Sequence, residues 1–105
     1  MTTSRMARNQ KLTPIIKGRT IAQILWDGPT AQLHFDGGAV LRIHAAGAPP
    51  KGAPPEPVGK VLAVRQSLDA IAFDLEGSAI AQFALAEPTS CVMLRDVKGA
   101  LEYAD

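Results

Sequence analysis

Apolar and polar positions alternate in two similar stretches of the chain. The first reads LHFDGGAVLRI at 33–43, and the second reads FDLEGSAIAQF at 73–83. In each stretch two alternating runs flank a short polar break with glycine, which is typical of a β-hairpin with one buried face. The segments before them also match, since GRTIAQ at 18–23 aligns with GKVLAV at 59–64. The chain therefore predicts two repeated strand-plus-hairpin units. These units span 18–45 and 59–86.

The register of both hairpins follows from which residues share a face of the sheet. Directly opposed residues share a face and neighbours along a strand alternate, so a three-residue loop at 36–38 places Leu33 opposite Leu41. The same loop length in the second unit places Phe73 opposite Ala81, and both pairs then belong to an apolar face. Glycine in each loop allows the positive φ that a three-residue loop with a bulge requires. Moving either loop one residue earlier keeps this parity, so the pattern predicts an odd loop length rather than an exact tip.

Three further segments complete the predicted fold. Residues 46–58 contain five prolines, which exclude a central strand and predict a stiff, extended connector between the units. Residues 90–104 read as an apolar run, a turn ending in Gly99 and a second apolar run, which predicts a C-terminal hairpin. Residues 79–86 also contain strong helix formers, but their β-rich counterpart AVLRIHA favours a strand. We expect an all-β fold, either a small β-sandwich or a partly open barrel of about 6–8 antiparallel strands.

Charge is uneven along the chain, although the formal net charge is only +1. A basic N-terminal arm, residues 1–17, is predicted to precede a single β-domain, residues 18–105. The arm carries Arg5, Arg8 and Lys11, and it lacks acidic residues. Such a segment is suited to docking on an acidic protein surface, and less specifically on nucleic acid. We interpret these three residues as a candidate interaction arm.

No residue pattern in the chain is typical of an enzyme. His34 and His44 lie on paired strands, but in pairs four positions apart, or about 13 Å along the sheet, which is too far to share a metal ion. Asp36 and Glu76 occupy turns, where acidic residues bond the local backbone. The single cysteine, Cys91, lies in an apolar strand start, where cysteine behaves as a small buried group. No metal site and no cofactor are predicted.

Cysteine content and hydropathy bear on the cellular setting. One cysteine cannot form an intrachain disulfide, and no apolar run approaches the roughly 18 residues of a spanning helix. Both features favour a cytoplasmic protein without a membrane partner.

Two aromatic residues are the candidate ligand contacts. Trp26 is the only tryptophan and ends the first strand, whereas Tyr103 lies near the C-terminus. Trp26 is expected either to plug one end of the core or to anchor a partner. The leading hypothesis is a non-enzymatic protein-interaction or self-assembly module, a homodimer or a complex with another protein. The alternatives are a small-ligand-binding barrel with the proline-rich connector as a lid, and weak nucleic-acid binding through the arm.

Overall fold

The computed structural model describes residues 6–52, 54–87 and 90–104. Its nine described strands form one antiparallel sheet that does not close on itself, which confirms the all-β prediction. The strands are β1 (Ala7–Arg8), β2 (Thr20–Asp27), β3 (Thr30–Phe35), β4 (Val40–His44), β5 (Gly59–Gln66), β6 (Ala70–Leu75), β7 (Ile80–Ala84), β8 (Val92–Arg95) and β9 (Leu101–Ala104), and a short helix α1 spans Thr13–Ile16. Their order across the sheet is β7-β6-β5-β2-β3-β4-β8-β9, and β1 pairs with β5.

Both central hairpins have the odd loop length that the sequence predicts, and the structure places the loops at 36–38 and 76–78. Leu33 lies opposite Leu41 in the β3–β4 pair, and Phe73 lies opposite Ala81 in the β6–β7 pair. Each loop has three residues, as in the first hairpin, where the Phe35 N–H donates to the Ala39 carbonyl across the turn. The competing helix at 79–86 is absent from the described chain there, because Ile80–Ala84 pairs as a strand with β6.

Strands β2–β4 and β5–β7 correspond in position and register. β3 and β6 begin at residues 30 and 70, and β4 and β7 begin at 40 and 80, so both pairs are offset by 40 residues. Both β2–β3 and β5–β6 shift register at matching places, after residues 21 and 61. Ile21 therefore corresponds to Val61, so the sequence alignment of 18–23 with 59–64 was wrong by one residue. We call β2–β4 with Ala45 the first half and β5–β7 with Leu85 the second half; residues 40 apart are counterparts. Two counterpart pairs, Thr20 with Lys60 and Ala45 with Leu85, are themselves paired where the halves meet.

The inward faces of both halves build one hydrophobic core. It contains the fully buried side chains Leu33, Leu41 and Phe73, and the Phe73 ring meets the Phe83 ring edge-on with centroids 6.1 Å apart. Most outward-pointing neighbours on the same strands are more exposed, as expected for strands with one buried face, although Ala72 is buried as well.

The N-terminal segment contributes to this core. Leu12 and Ile16, at the start and end of α1, are completely buried, and β1 pairs with the end of β5. Arg8 and Lys11 are exposed, whereas Arg5 lies outside the described residues. The described part of the predicted arm is thus anchored by its apolar residues while its basic side chains face solvent.

The C-terminal hairpin forms as predicted, with β8 paired to β9. Its turn is organised by Asp96, whose carboxylate accepts the backbone N–H groups of Lys98 and Ala100, each at 2.9 Å. Within the described ranges, no helix has the length and apolar character needed to cross a membrane.

Candidate functional site

The edge of β5 is covered by the chain itself. β2 and β5 pair through only two residue pairs before they diverge. Beyond these pairs, the backbone N–H and C=O groups along the facing edge of each strand need other hydrogen-bond partners. On β5, the Val64 carbonyl accepts the Asn9 N–H at 2.8 Å, and the Val64 N–H donates to the Thr13 hydroxyl at 3.0 Å. Farther along, β1 pairs with Arg65 and Gln66. The N-terminal segment therefore completes the hydrogen bonds of this edge.

The edge of β2 has no such cover among the described residues. Successive residues of an antiparallel strand direct their N–H and C=O groups to alternate sides. Phe35 bonds towards β4, so Leu33 does too, and its partner Ile24 must direct its backbone groups away from β3. Trp26 lies two residues after Ile24 on β2, so its backbone groups also point away from β3. In the described parts of the chain, no hydrogen bond reaches the outward N–H and C=O groups of these two residues.

A cleft of about 750 Å³ lies beside this open edge. We call it the β2 cleft. The Trp26 ring lies in its wall, tilted by 45° to the Phe83 ring at a centroid distance of 5.9 Å. Strand β2, the end of β7 and the proline-rich connector form its sides. The lining residues are Ala22, Gln23, Ile24, Trp26, Ala45, Gly47, Pro49, Pro50, Pro54, Pro55, Glu56, Val58, Gln82, Phe83 and Ala84.

The connector is attached to β7 at the cleft. The Glu56 carboxylate accepts the backbone N–H of Gln82 at 2.9 Å, and the Ala46 N–H donates to the Ala84 carbonyl at 2.9 Å. Glu56 is the one charged side chain in the described lining of the cleft. The remaining lining is mostly apolar, so the cleft is suited to apolar side chains of a bound molecule.

The two predicted aromatic contacts are separated in the structure. Trp26 is half-buried and lines the β2 cleft together with the connector prolines. Tyr103 packs against the core, and its hydroxyl accepts a hydrogen bond from the Asn9 side-chain amide at 3.1 Å. Tyr103 is absent from the described lining of the cleft. The cleft therefore combines Trp26 with the predicted connector rather than with the second aromatic residue.

The environments of the histidines and the cysteine differ from one another. The Nε2 atom of His34 is buried and makes no hydrogen bond in the described structure, which the sequence did not reveal. His44 is exposed. The Cys91 thiol is 6% exposed and donates to the Glu87 carbonyl at 3.2 Å. Among the described residues, no group of three or more histidine, cysteine or acidic side chains could hold a metal ion.

Two bidentate ion pairs connect strands on the outer surface. Arg19 donates to both carboxylate oxygens of Glu102 at 2.9 and 3.0 Å. These hydrogen bonds hold the pKa of Glu102 below its ordinary value, because they stabilise the ionised carboxylate. In the second half, Arg65 donates to both oxygens of Asp74 at 2.9 and 2.8 Å, and this contact raises the pKa of Arg65.

The chain matches no protein-family model, and neither a curated protein nor a solved structure matches it. The geometry of the β2 cleft therefore carries the functional assignment. An open strand edge beside an apolar cleft can bind an extended peptide, because the edge offers main-chain hydrogen bonds and the cleft accepts alternate side chains.

Proposed function

We propose that the protein is a non-enzymatic interaction module that binds an extended segment of a partner protein, or of a second copy, along β2. The observation that carries this proposal is the pair Ile24 and Trp26, whose outward backbone groups have no described partner and border an apolar cleft. Exposed strand edges are templates for pairing with another chain. The counterpart edge at Val64 is already paired with the N-terminal segment.

The connector cannot act as a continuous added strand, because its five prolines interrupt the row of backbone N–H donors. Proline lacks a backbone N–H and therefore cannot donate to a β-ladder. Pro49, Pro50, Pro54 and Pro55 all line the cleft, so the connector forms a wall while the β2 edge keeps its hydrogen-bonding capacity. A bound segment would pair with Ile24 and Trp26 and place alternate apolar side chains against the Trp26 and Phe83 rings.

A display experiment tests this proposal directly. A randomised 12-residue peptide library is panned against the immobilised full-length protein, and enriched peptides are studied by amide hydrogen exchange. We expect enriched peptides with alternating apolar residues, because one face of the added strand enters the cleft. In the complex, the Ile24 and Trp26 amides should become protected from exchange, whereas the Val64 amide should be protected already in the free protein.

Matched variants separate binding at the edge from binding elsewhere. Ile24→Pro removes an outward N–H without removing a bond to β3, so it should weaken peptide binding about tenfold. Leu25→Ala, which truncates an exposed neighbour, should change the affinity less than about twofold. A dispersed amide spectrum checks that each variant folds. Peptides that bind the Ile24→Pro variant as tightly as the parent protein would contradict the proposal.

A small-ligand module is the second candidate, because the cleft volume of about 750 Å³ lies within the range of about 300–1,000 Å³ that is typical of small-molecule sites. Native mass spectrometry of freshly purified protein distinguishes the candidates. Mass beyond the 11.1 kDa chain would favour a retained small molecule in the cleft. A whole multiple of the chain mass would indicate a second copy as the partner, and a bare monomer would favour a different protein.

A further inference from the structure

A second, smaller pocket lies on the outer surface of the first half. It has a volume of about 250 Å³ and is bordered by β3, β4, β8 and the turn between β8 and β9. His34, Val40 and Arg95 form one row across the three strands, because His34 lies opposite Val40 and Val40 lies opposite Arg95. Arg42 belongs to the next row, opposite Gln32. All five side chains contribute to the lining.

The histidine in this pocket lacks a partner that its burial requires. The Nε2 atom of His34 is inaccessible to solvent and unbonded among the described residues. A buried polar atom without a hydrogen bond is costly, and such an atom in a native structure indicates a missing partner. His34 lines the pocket, and its second ring nitrogen, Nδ1, makes no hydrogen bond with a described residue and is not buried. An oxygen atom of a molecule in the pocket can therefore pair with Nδ1.

Two exposed guanidinium groups provide positive charge beside the histidine. Arg42 makes no hydrogen bond or ion pair with any described residue. Arg95 donates one N–H to the Gly99 carbonyl at 2.9 Å, and since a guanidinium has five N–H donors, others remain. Asp96 also lines the pocket, but one of its carboxylate oxygens already accepts two backbone N–H groups of its own turn.

At the corresponding positions of the second half, the charged side chains are paired with each other. The counterpart of His34 is Asp74, which is held by the bidentate pair with Arg65. The counterpart of Arg65 in the first half is Leu25, which offers no charge or hydrogen bond. The counterpart of Arg42 is Gln82, which is neutral. The first half thus presents cationic groups that its own strands leave unpaired.

The pocket has a defined wall where the two turns meet. Gly38 lines it, and a Cβ atom at this position would lie 2.5 Å from the Val97 Cγ2 atom. This close approach requires glycine and brings the β8–β9 turn onto the β3–β4 loop. Val97 and His34 therefore border the same enclosed space.

We propose that this pocket binds an oxyanion, a phosphate or carboxylate group, through His34, Arg42 and Arg95. Guanidinium and imidazole N–H groups form short, charge-assisted hydrogen bonds with such oxygens. The proposal is independent of peptide binding at β2, because none of these three residues lines the β2 cleft.

Nuclear magnetic resonance of the two imidazole side chains tests this site. Inorganic phosphate and, separately, succinate are added to the full-length protein at constant ionic strength and pH. We expect saturable shifts of the His34 ring signals, with little change at His44, which is on the same surface but outside the pocket lining. A response to phosphate alone would identify a phosphoryl group as the ligand, and a response to succinate would identify a carboxylate.

Arginine variants provide the second readout. Arg42→Gln should weaken the saturable binding about fivefold, because it removes one charged donor without removing a described bond. Lys60→Gln is the control, since Lys60 is a cationic residue exposed on β5 and outside the pocket, and it should leave the affinity unchanged. The proposal is overturned if neither anion gives saturable shifts, if His44 shifts as much as His34, or if Arg42→Gln binds like the parent protein.

Discussion

β2 and β5 occupy matching positions in the two halves, but the edges along which they diverge differ in how they are covered. The β5 edge is covered by the N-terminal segment, with Asn9 and Thr13 bonded to Val64. The β2 edge at Ile24 borders a cleft whose far wall is rich in proline. The segment that lies along each edge accounts for this difference, namely the N-terminal segment along β5 and the proline-rich connector along β2. The first provides backbone and hydroxyl groups together with buried apolar side chains, whereas the second lacks N–H groups at its prolines.

This comparison indicates that corresponding strands can serve different purposes in one sheet. Covering an edge with the protein's own chain stabilises the fold and prevents pairing with another molecule. Leaving the counterpart edge uncovered keeps it available to a partner. Unequal covering of the two edges is therefore the structural feature on which the proposed peptide binding at β2 rests.

The largest expected effect on stability comes from truncating a buried side chain of the N-terminal segment that covers β5. Leu12→Ala should lower the free energy of unfolding by about 2–5 kcal/mol, because it leaves a cavity in the core, and Leu12 is fully buried. Val58→Ala in the wall of the β2 cleft should cost less than about 0.5 kcal/mol, since Val58 is 47% exposed. Urea denaturation monitored by Trp26 fluorescence measures both values.

Equal losses of stability in these two variants would contradict the comparison. They would mean either that the N-terminal segment contributes little to the core or that the connector is packed as firmly as α1. A truncation at the exposed Lys11, Lys11→Ala, controls for general effects of altering the N-terminal segment and should leave the stability nearly unchanged.

The hydroxyl of Thr13 should account for the next largest effect. Thr13→Val preserves the shape of the side chain but removes the acceptor for the Val64 N–H, leaving a buried donor unpaired. We expect a loss of about 1–3 kcal/mol and faster hydrogen exchange of the Val64 amide. Thr30→Val is the matched control, because the Thr30 side chain makes no described hydrogen bond. Unchanged exchange at Val64 would show that Thr13 is dispensable for covering the edge.

The hairpins could be predicted from the sequence because their determinants are local. Alternation and loop parity together decide that Leu33 shares a face with Leu41 and Phe73 with Ala81, and the structure shows that both are direct pairs. The connector was also predictable, since several prolines within a short segment exclude a central strand. These inferences use residues at most about ten positions apart, where steric rules for turns and strands apply directly.

The covered and open edges could not be predicted because they depend on contacts between distant segments. Asn9 and Thr13 meet Val64 across more than fifty residues, and no short periodic pattern marks this contact. The sequence did associate Trp26 with the connector as a candidate ligand site, and both line the β2 cleft. It did not reveal Phe83 as the opposing ring or the buried Nε2 atom of His34, because both depend on contacts between strands that are distant in the sequence.

The ion pair of the second half allows a smaller test of the comparison. Arg65→Leu places leucine where the first half has Leu25 and leaves Asp74 without its bidentate partner. Since both side chains are about one-third exposed, we expect a loss of only about 0.5–1 kcal/mol in the free energy of unfolding. Leu25→Ala should cost less than that. A larger loss from Leu25→Ala than from Arg65→Leu in urea denaturation would show that the outer face of the first half has its own stabilising contacts.

The smallest expected effect concerns the beginning of β2, which is held in place although its end is open. Arg19 precedes β2 and lowers the pKa of Glu102 on β9, so the folded state binds the carboxyl proton more weakly than the unfolded state. The pair therefore stabilises the fold above the ordinary pKa of about 4.5, and this contribution is lost as the pH falls through the lower folded value. Glu102→Gln should cost no more than about 0.5 kcal/mol at pH 7, because the pair is partly exposed, and it should cost less at pH 3, which is below the ordinary pKa of the carboxyl group. Urea denaturation at both values of pH measures the difference, and a cost that persists at low pH would assign it to packing rather than to charge. Hydrogen exchange at the Ile24 amide should be the same in this variant as in the parent protein, since the anchor at residue 19 and the open edge are separate features of the strand.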